Sequence, residues 1–383
     1  MNSVDKLLKR YKQQLDSVEY WKRRELLIEL EQKLTDKQQI KQFDSMYRKT
    51  GKVLERQLKD FYKRYATDGE IPIEIANAYL GVDEQLAYQE KLNVVEYQAK
   101  QGGYIDKIPK KYLEVKVTRK DMLINTMNFE LIKLAAMYDK EFKTHLMRTR
   151  QDTVLKKSHL LEQASGIEVK IPADIFDKAK LEKAINKRYF GKTFSQRVWK
   201  NNVKVLGERI AKIVTSNITN GQPVDKTAKA LAKEMDVARG RAVTLLQTET
   251  AQVQNKATMS VYKENEIEKY VYLATLESHT CSVCANLDGQ TFECSKALTG
   301  MNYPLMHPNC RCTTVPYVDG ALPTRRFARD VETGKGYYEQ DTINFNEWKK
   351  KQLAKYGATA IEDKLLEERR MKRKMRKRKK NRR

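Results

Sequence analysis

Histidine is scarce in this chain, at four residues in 383, and cysteine nearly as scarce, at five. With so few imidazoles, acid–base catalysis has little to work with. No Walker loop, GxGxxG fingerprint or GxSxG elbow occurs, so three common catalytic and nucleotide-binding signatures are missing. No apolar run approaches the roughly 18 residues of a membrane span. The opening MNSVDKLLKRYKQQ has no apolar signal core behind its charges. These absences predict a soluble protein made in the cytoplasm, with reduced thiols. Punctuation is thin as well: Pro72 is the first proline, and only Gly51 and Gly69 precede it.

Long helices fill that space. Leu7, Leu8, Tyr11, Leu15, Leu26, Leu30 and Leu34 recur at mostly three- and four-residue steps, as do Leu54, Leu58, Phe61 and Tyr65. The pattern predicts helices over about 3–34 and 37–66, hairpinned on each other, and the stripes read as core or coiled-coil packing. Residues 118–164 contain neither Gly nor Pro and predict a further long helix or a broken pair. SGIEVKIPADIF (165–176) marks a boundary. Beyond it, Ser195 is the expected N-cap of a helix ending at Thr219, closed by Asn220–Gly221. Pro223 then opens the approach to a short helix, and a third covers roughly 237–265. KYVYLATLE (269–277) reads as a strand and RCTTVPY (311–317) as its return.

All five cysteines and two of the four histidines fall between residues 279 and 312. Cys281-x2-Cys284 is a knuckle that can put two sulfurs on one ion, and 25 residues later comes Cys310-x-Cys312, with His307 three positions before Cys310. Four mixed thiolate and imidazole ligands are the habit of structural zinc. Cys281 and Cys284 form the first ligand pair. His307 and Cys310 form the natural second, with Cys312 as the substitute. Cys294 and His279 are left over. Disulfides fit a secreted protein, an iron–sulfur cluster would use four cysteines, and a redox CxxC needs a thioredoxin-like setting that is missing. The alternative without metal packs the cysteines as small apolar groups. A catalytic zinc is disfavoured because protein ligands fill every position and no HExxH helix supplies a base.

Charge is uneven. Of the net +25, the last thirteen residues, MKRKMRKRKKNRR, carry +10 and no acid, which leaves 25 − 10 = +15 on the rest. Such a block repels itself, is expected to be disordered when unbound, and finds relief on a polyanion, double-stranded DNA first. Thr248-Glu249-Thr250 lies inside a predicted helix, where it reads as a solvated face or a cap for a neighbour.

YFGKTFSQRVWKN, LLQTETAQVQNKA, KYVYLATLESHTCSVCANLDGQTF and MNYPLMHPNCRCTTVPY together resemble the Mu F-like phage head morphogenesis proteins, also called minor head or minor capsid proteins. The likeness covers about 189–317, and FARDVETGKGYYEQDTINFNEWKKK (327–351) resembles an extension that some members carry. Cys281, Cys284, His307, Cys310 and Cys312 fall on the family's cysteine–histidine motif. Thr248 and Glu249 fall on its helix motif, Asp288 and Gly289 on its LDG turn, Phe194 and Trp199 on its aromatic pair. Gln247 stands where an arginine is frequent, and Glu277, Ser278 and His279 where Asp, Glu and Arg are familiar. Any salt bridge that the usual arginines would make is therefore in doubt, but not the fold.

The resemblance implies a structural virion component inside the head, in the host cytoplasm during assembly. It would contact portal and other head proteins and act in head morphogenesis and DNA ejection, with no catalytic activity. Self-association through the N-terminal helices and non-specific DNA binding through the tail complete the expectation, with no membrane partner. The alternatives are a zinc-containing DNA-binding protein and an HNH-type nuclease. The nuclease would need further His and Asn residues on a ββα element. The expected fold is mainly α with a small α+β zinc-stapled domain. Its regions are 1–164 (long helices), 165–320 (Mu F-like domain), 321–368 (extension) and 369–383 (basic tail).

Overall fold

The computed structural model of the chain describes residues 18–165, 168–189, 191–277, 280–317, 325–331, 333, 335–340 and 343–356. The basic tail, His279 and the first seventeen residues lie outside them. The chain enters as α1 (Val18–Tyr65), then a short α2 (Ile73–Asn77), α3 (Val82–Gln101) and α4 (Arg119–Ser165). α5 (Lys178–Ile185) and α6 (Phe194–Trp199) follow. α6 passes through a π-helical segment, Lys200–Val205, into α7 (Leu206–Thr219), and α8 (Val224–Glu264) ends the helical run. β1 (Lys269–Leu273), α9 (Ser282–Leu287), β2 (Thr291–Glu293) and β3 (Thr313–Pro316) come next. A hairpin of β4 (Arg325–Arg329) and β5 (Gly336–Gln340) leads to α10 (Phe345–Tyr356). The fold is mainly helical with few strands. Among the described residues no helix is long and apolar enough to cross a membrane.

Two compact units result. One holds residues 32–148 and 177–249. The other holds, of the described residues, 149–176 and those from 250 to 356, together with 18–31.

The helical unit is packed by large apolar side chains. Tyr88, Leu92, Phe129 and Ile132 share one buried cluster. Phe43, Tyr138 and Phe142 make another contact set, with ring centroids 4.0 and 5.5 Å apart along that series. Burying a tyrosine obliges its hydroxyl to find a partner. Tyr138 donates to the Ala242 carbonyl at 2.8 Å, and Tyr47 to the amide oxygen of Asn202. On the far side of α3, Val82, Leu86 and Tyr97 are exposed.

Three helix boundaries differ from the sequence reading, each for a local reason. Residues 37–66 are not a separate hairpinned helix. The chain runs unbroken from Val18 to Tyr65, because Thr35 and Asp36 each cost a helix only tenths of a kcal/mol and no Pro or Gly separates them. Likewise α8 is one helix and not two: Asp236, at the boundary expected before 237, costs a helix only tenths of a kcal/mol. Ser195 is not the N-cap. Thr193 accepts from the Gln196 amide at 3.2 Å while the Gln196 side chain accepts from the Thr193 amide at 3.0 Å. This capping box satisfies two orphan donors, where Ser195 would satisfy one. The Ser195 hydroxyl instead donates to Asp139 at 2.9 Å. At the other end, Asn220 and Gly221, at φ 55°, close α7 as expected.

The second unit holds a three-stranded antiparallel sheet in the order β2-β1-β3. Tyr270 pairs with Phe292 on one side and Pro316 on the other. Tyr270, Tyr303, Ala257 and Val261 pack into one cluster, to which Val154 of α4 contributes. Cys294, one of the leftover cysteines, is buried in the same cluster, and burial pushes its thiol up to about 11. A second cluster joins Leu276, Ala285, Ala328, Phe345 and Trp348, so the extension packs onto the segment that carries the cysteines.

Candidate metal centre

β1 delivers the chain to the knuckle. Cys281 sits at the N-cap of α9, and its sulfur accepts from the Cys284 amide at 3.4 Å. That bond gives the CxxC turn its tight shape and aims both sulfurs to the same side. Cys284 is buried. The second limb comes from the turn before β3. Asn309 there has φ 62°, a left-handed value that asparagine tolerates better than most residues, and the Cys310 amide donates to the His307 carbonyl at 3.1 Å.

The two limbs meet at Cys284. Its sulfur lies 3.6 Å from His307 Nε2 and 3.8 Å from the Cys310 sulfur. Ligand atoms lie within 4.8 Å of one another in two trios, Cys281–Cys284–His307 and Cys284–Cys310–Cys312. All five expected residues are thus gathered, Cys284 is common to both trios, and Cys294 stands apart in the core cluster.

The electrostatics suit a cation. His307 Nδ1 is 2.9 Å from the Pro308 carbonyl, which can only accept, so Nδ1 carries the proton. Nε2 is left with its lone pair turned toward the cysteines, the orientation that outer hydrogen bonds impose on ligating histidines. Contact with Cys310 drives the Cys284 thiol up, and the same contact drives Cys310 down. Sulfurs this close cannot all ionise unless a positive charge joins them. Burial, the largest influence on Cys281, opposes its ionisation, but the Cys284 amide, the Cys284 side chain, His307 and the Val283 amide together outweigh it and hold that thiol below its usual range. Tyr272 adds a donor from β1, its hydroxyl reaching the Cys284 sulfur at 3.5 Å.

Two polar junctions around the cluster escaped the sequence reading. Arg311, between the last two cysteines, donates through Nη1 to both Glu277 oxygens at 3.0 Å, and Arg329 of β4 approaches the same carboxylate at 3.5 Å. Glu277, one of the unfamiliar residues at 277–279, thus pairs with Arg311 and Arg329. Asp288 of the LDG turn is buried, accepting from the Ala274 amide at 2.8 Å and from the Phe345 amide at 2.7 Å. It ties β1 to the start of α10. The signals were present as a lone acid after a strand and an arginine inside HPNCRC, but nothing in spacing says that they pair.

In the helical unit, Glu249 is not on a solvated face. It is buried and takes an ion pair from Arg197. Phe194 stacks edge-on against Phe142 at 5.3 Å, and the Trp199 indole donates to Asp139 at 3.3 Å. The aromatic pair is therefore core on one side and a hydrogen-bond anchor on the other.

Residues 208–315 match the family model described as phage Mu protein F like protein. That segment belongs to the phage Mu F-like family. It contains α7 from its third residue, all of α8, the three-stranded sheet up to Val315 and every residue of the cysteine–histidine cluster. The family is one of phage head morphogenesis. A curated relative, the NAD(+)–arginine ADP-ribosyltransferase EFV of Enterococcus faecalis (strain ATCC 700802 / V583), is 25% identical over 228 residues. The match covers 54% of this chain and 46% of that protein, so the chain spans about half the length of that relative. No solved structure matches.

Proposed function

We propose that this chain is a minor head protein of a phage virion, held inside the head, that binds portal and packaged DNA and acts in head morphogenesis and DNA ejection. The observation that carries the reading is the Mu F-like match over 208–315, coincident with a five-residue cysteine–histidine cluster. Within this reading the cluster is a structural zinc site. Cys281, Cys284 and His307 supply three ligands, and Cys310 or Cys312 the fourth. Zinc supplies a cross-link there and no reaction, because four protein ligands leave it no open position. A sheet with strands of five, three and four residues gains most from such a staple.

Contacts to other head proteins fall to the helices, and exposed Val82, Leu86 and Tyr97 support a protein-facing role. Contact with DNA falls to basic segments, foremost the thirteen-residue tail. Truncation after Glu368 should lower the slope of log affinity against log salt by about five if about six tail contacts are lost, equally for any duplex sequence. The role is structural and not catalytic. Incubating pure protein with NAD+ and an arginine-rich acceptor tests that clause, and transfer of ADP-ribose would overturn it. The central test is co-purification of this protein with tagged portal from assembling heads. Heads that form, package and eject normally without it would sink the proposal.

A further inference from the structure

The described residues expose thirteen large apolar side chains, and five of them lie between Tyr79 and Tyr97. Four of the five belong to α3: Val82, Leu86, Val94 and Tyr97 are 54 to 75% exposed. At about 100° per residue, Val82, Leu86 and Tyr97 fall within roughly 60° of one another, with Val94 at their border. Tyr88, Leu92 and Ala99 lie on the opposite side, buried in the helical unit. α3 therefore has two apolar faces, and nothing among the described residues covers the second. The charges beside that face have one sign. Lys100 is engaged by Glu96 at 3.9 Å, and Lys91 sits about a third of a turn away. Asp83 and Glu90 are exposed and make no ion pair among the described residues.

An acidic, apolar strip on a chain of net +25 selects a basic, apolar occupant. A second α3 brings acids of the same sign. The sequence before α1 is the complement. In MNSVDKLLKRYKQQLDS, residues 1–17, which lie outside the described residues, Leu7, Leu8, Tyr11 and Leu15 recur at helical spacing. Lys6, Lys9, Arg10 and Lys12 there outnumber Asp5 and Asp16. An amphipathic helix laid against an apolar face, with opposite charges at its edges, is a recurring mode of recognition.

Helix lengths decide which copy of the segment is meant. α1 has 48 residues, so its ends are about 70 Å apart. α3 starts at the far end, where the Tyr65 hydroxyl donates to Glu84 at 2.5 Å. α3 is about 30 Å long and a seventeen-residue helix about 25 Å, so the two together fall short of that span. In helical form the segment cannot lie along α3 of its own chain. We propose that the exposed face of α3 takes residues 1–17 of a second copy of this chain as an amphipathic helix, with Asp83 and Glu90 facing its basic side chains. The proposal goes beyond the reading above and is independent of its portal and DNA clauses.

The test is sedimentation velocity of the full chain between about 1 and 100 μM, a range suited to a contact smaller than the ~1,600 Å² of a standard interface. The wild type should gain mass with concentration. Val82→Ser/Leu86→Ser/Tyr97→Ser removes the face, and Leu7→Ser/Leu8→Ser/Tyr11→Ser removes the segment. Each should weaken association at least about a hundredfold and sediment as a monomer. An equimolar mixture of the two should associate again, because one supplies an intact segment and the other an intact face. Lys9→Glu/Arg10→Glu/Lys12→Glu should weaken association about tenfold and regain it when combined with Asp83→Lys/Glu90→Lys. Thermal midpoints equal to wild type show that the variants are folded; should the face variant unfold, the charge exchange carries the test. A wild type that stays monomeric to about 100 μM overturns the proposal. So does a face variant that associates like wild type. A segment variant that associates like wild type gives the face to another occupant and overturns it as well. A mixture that stays monomeric overturns docking between copies.

Discussion

In the helical unit, hydrogen-bond ladders run without interruption through long helices, and their apolar stripes find mates in neighbouring turns. In the other unit the central sheet has strands of five, three and four residues, and nineteen residues, 294–312, separate β2 from β3. The first unit is stabilised by repetition, since each added helical residue brings one bond for one residue fixed, against three fixed for the first bond. The second closes long connections for few strand bonds, and it relies on side-chain bridges: a cysteine–histidine cluster, the Arg311–Glu277–Arg329 junction and Asp288. The difference teaches that single substitutions should be graded by bridge in the sheet unit and by burial in the helical unit.

The largest expected effect breaks the sheet unit at the cluster. Cys284 belongs to both trios, so Cys284→Ser should lose the proposed zinc and the fold of 268–317 together. A structural zinc site contributes on the order of 10 kcal/mol. Elemental analysis should fall from about one zinc per chain to none, and amide exchange across β1 and β3 should become fast while the helical signal largely persists. A folded sheet without metal would remove zinc from the account. Cys294→Ser is the matched control: it should keep the metal and cost about 1 kcal/mol, through a hydroxyl placed in a core cluster.

Next in size is the buried ion pair of the helical unit. Glu249 retains 6% side-chain exposure and Arg197 18%. Removing one partner of such a pair leaves an uncompensated charge, so Glu249→Ala should cost about 3 kcal/mol. Thermal unfolding should show a lowered midpoint with zinc content unchanged. A midpoint equal to wild type would mean that Arg197, already 5.5 Å from the Tyr189 ring, finds enough solvent to do without the carboxylate.

Glu277→Gln sharpens the comparison at lower cost. Arg311 is 62% exposed, so most of its charge stays hydrated when the carboxylate is lost. About 1–2 kcal/mol is expected, the worth of a charge-assisted hydrogen bond. The loss should be local: faster exchange at β4 and β5, with one zinc retained. Loss of zinc would instead make Arg311 a positioning residue for the metal limb.

The elements that could be read from sequence are those fixed by local chemistry. The long helix at 119–165 follows from a stretch free of Gly and Pro, the α7 stop from Asn220–Gly221, and the two strands from β-branched runs. The gathered cysteines and histidine followed from ligand spacing. The breaks expected at 35–36 and before 237 do not occur, because tertiary packing overrides the tenths of a kcal/mol that weak helix formers cost. Glu249, Glu277 and Asp288 lay beyond reach for a different reason. Their partners are 52, 34 and 57 residues away, and single charges carry no periodicity by which to find them.

The smallest effect concerns Asp139, and it is a change of slope with pH. Burial pushes this carboxyl above the usual aspartate range, against the donations from Ser195 and Trp199. The sign follows from proton counting. The unfolded carboxyl ionises near pH 3.9, the folded one later, so in that window the native state binds more protons than the unfolded state. The contribution of Asp139 is therefore fully present below the unfolded value and is lost as pH rises through the folded one. Asp139→Asn keeps an oxygen for Ser195 and Trp199 and cannot ionise. Denaturant unfolding at pH 4 and pH 7 should show the wild type losing stability relative to this variant as pH rises. A difference that stays constant, or moves the other way, would mean that Lys143, whose charge also acts on this carboxyl, offsets the burial.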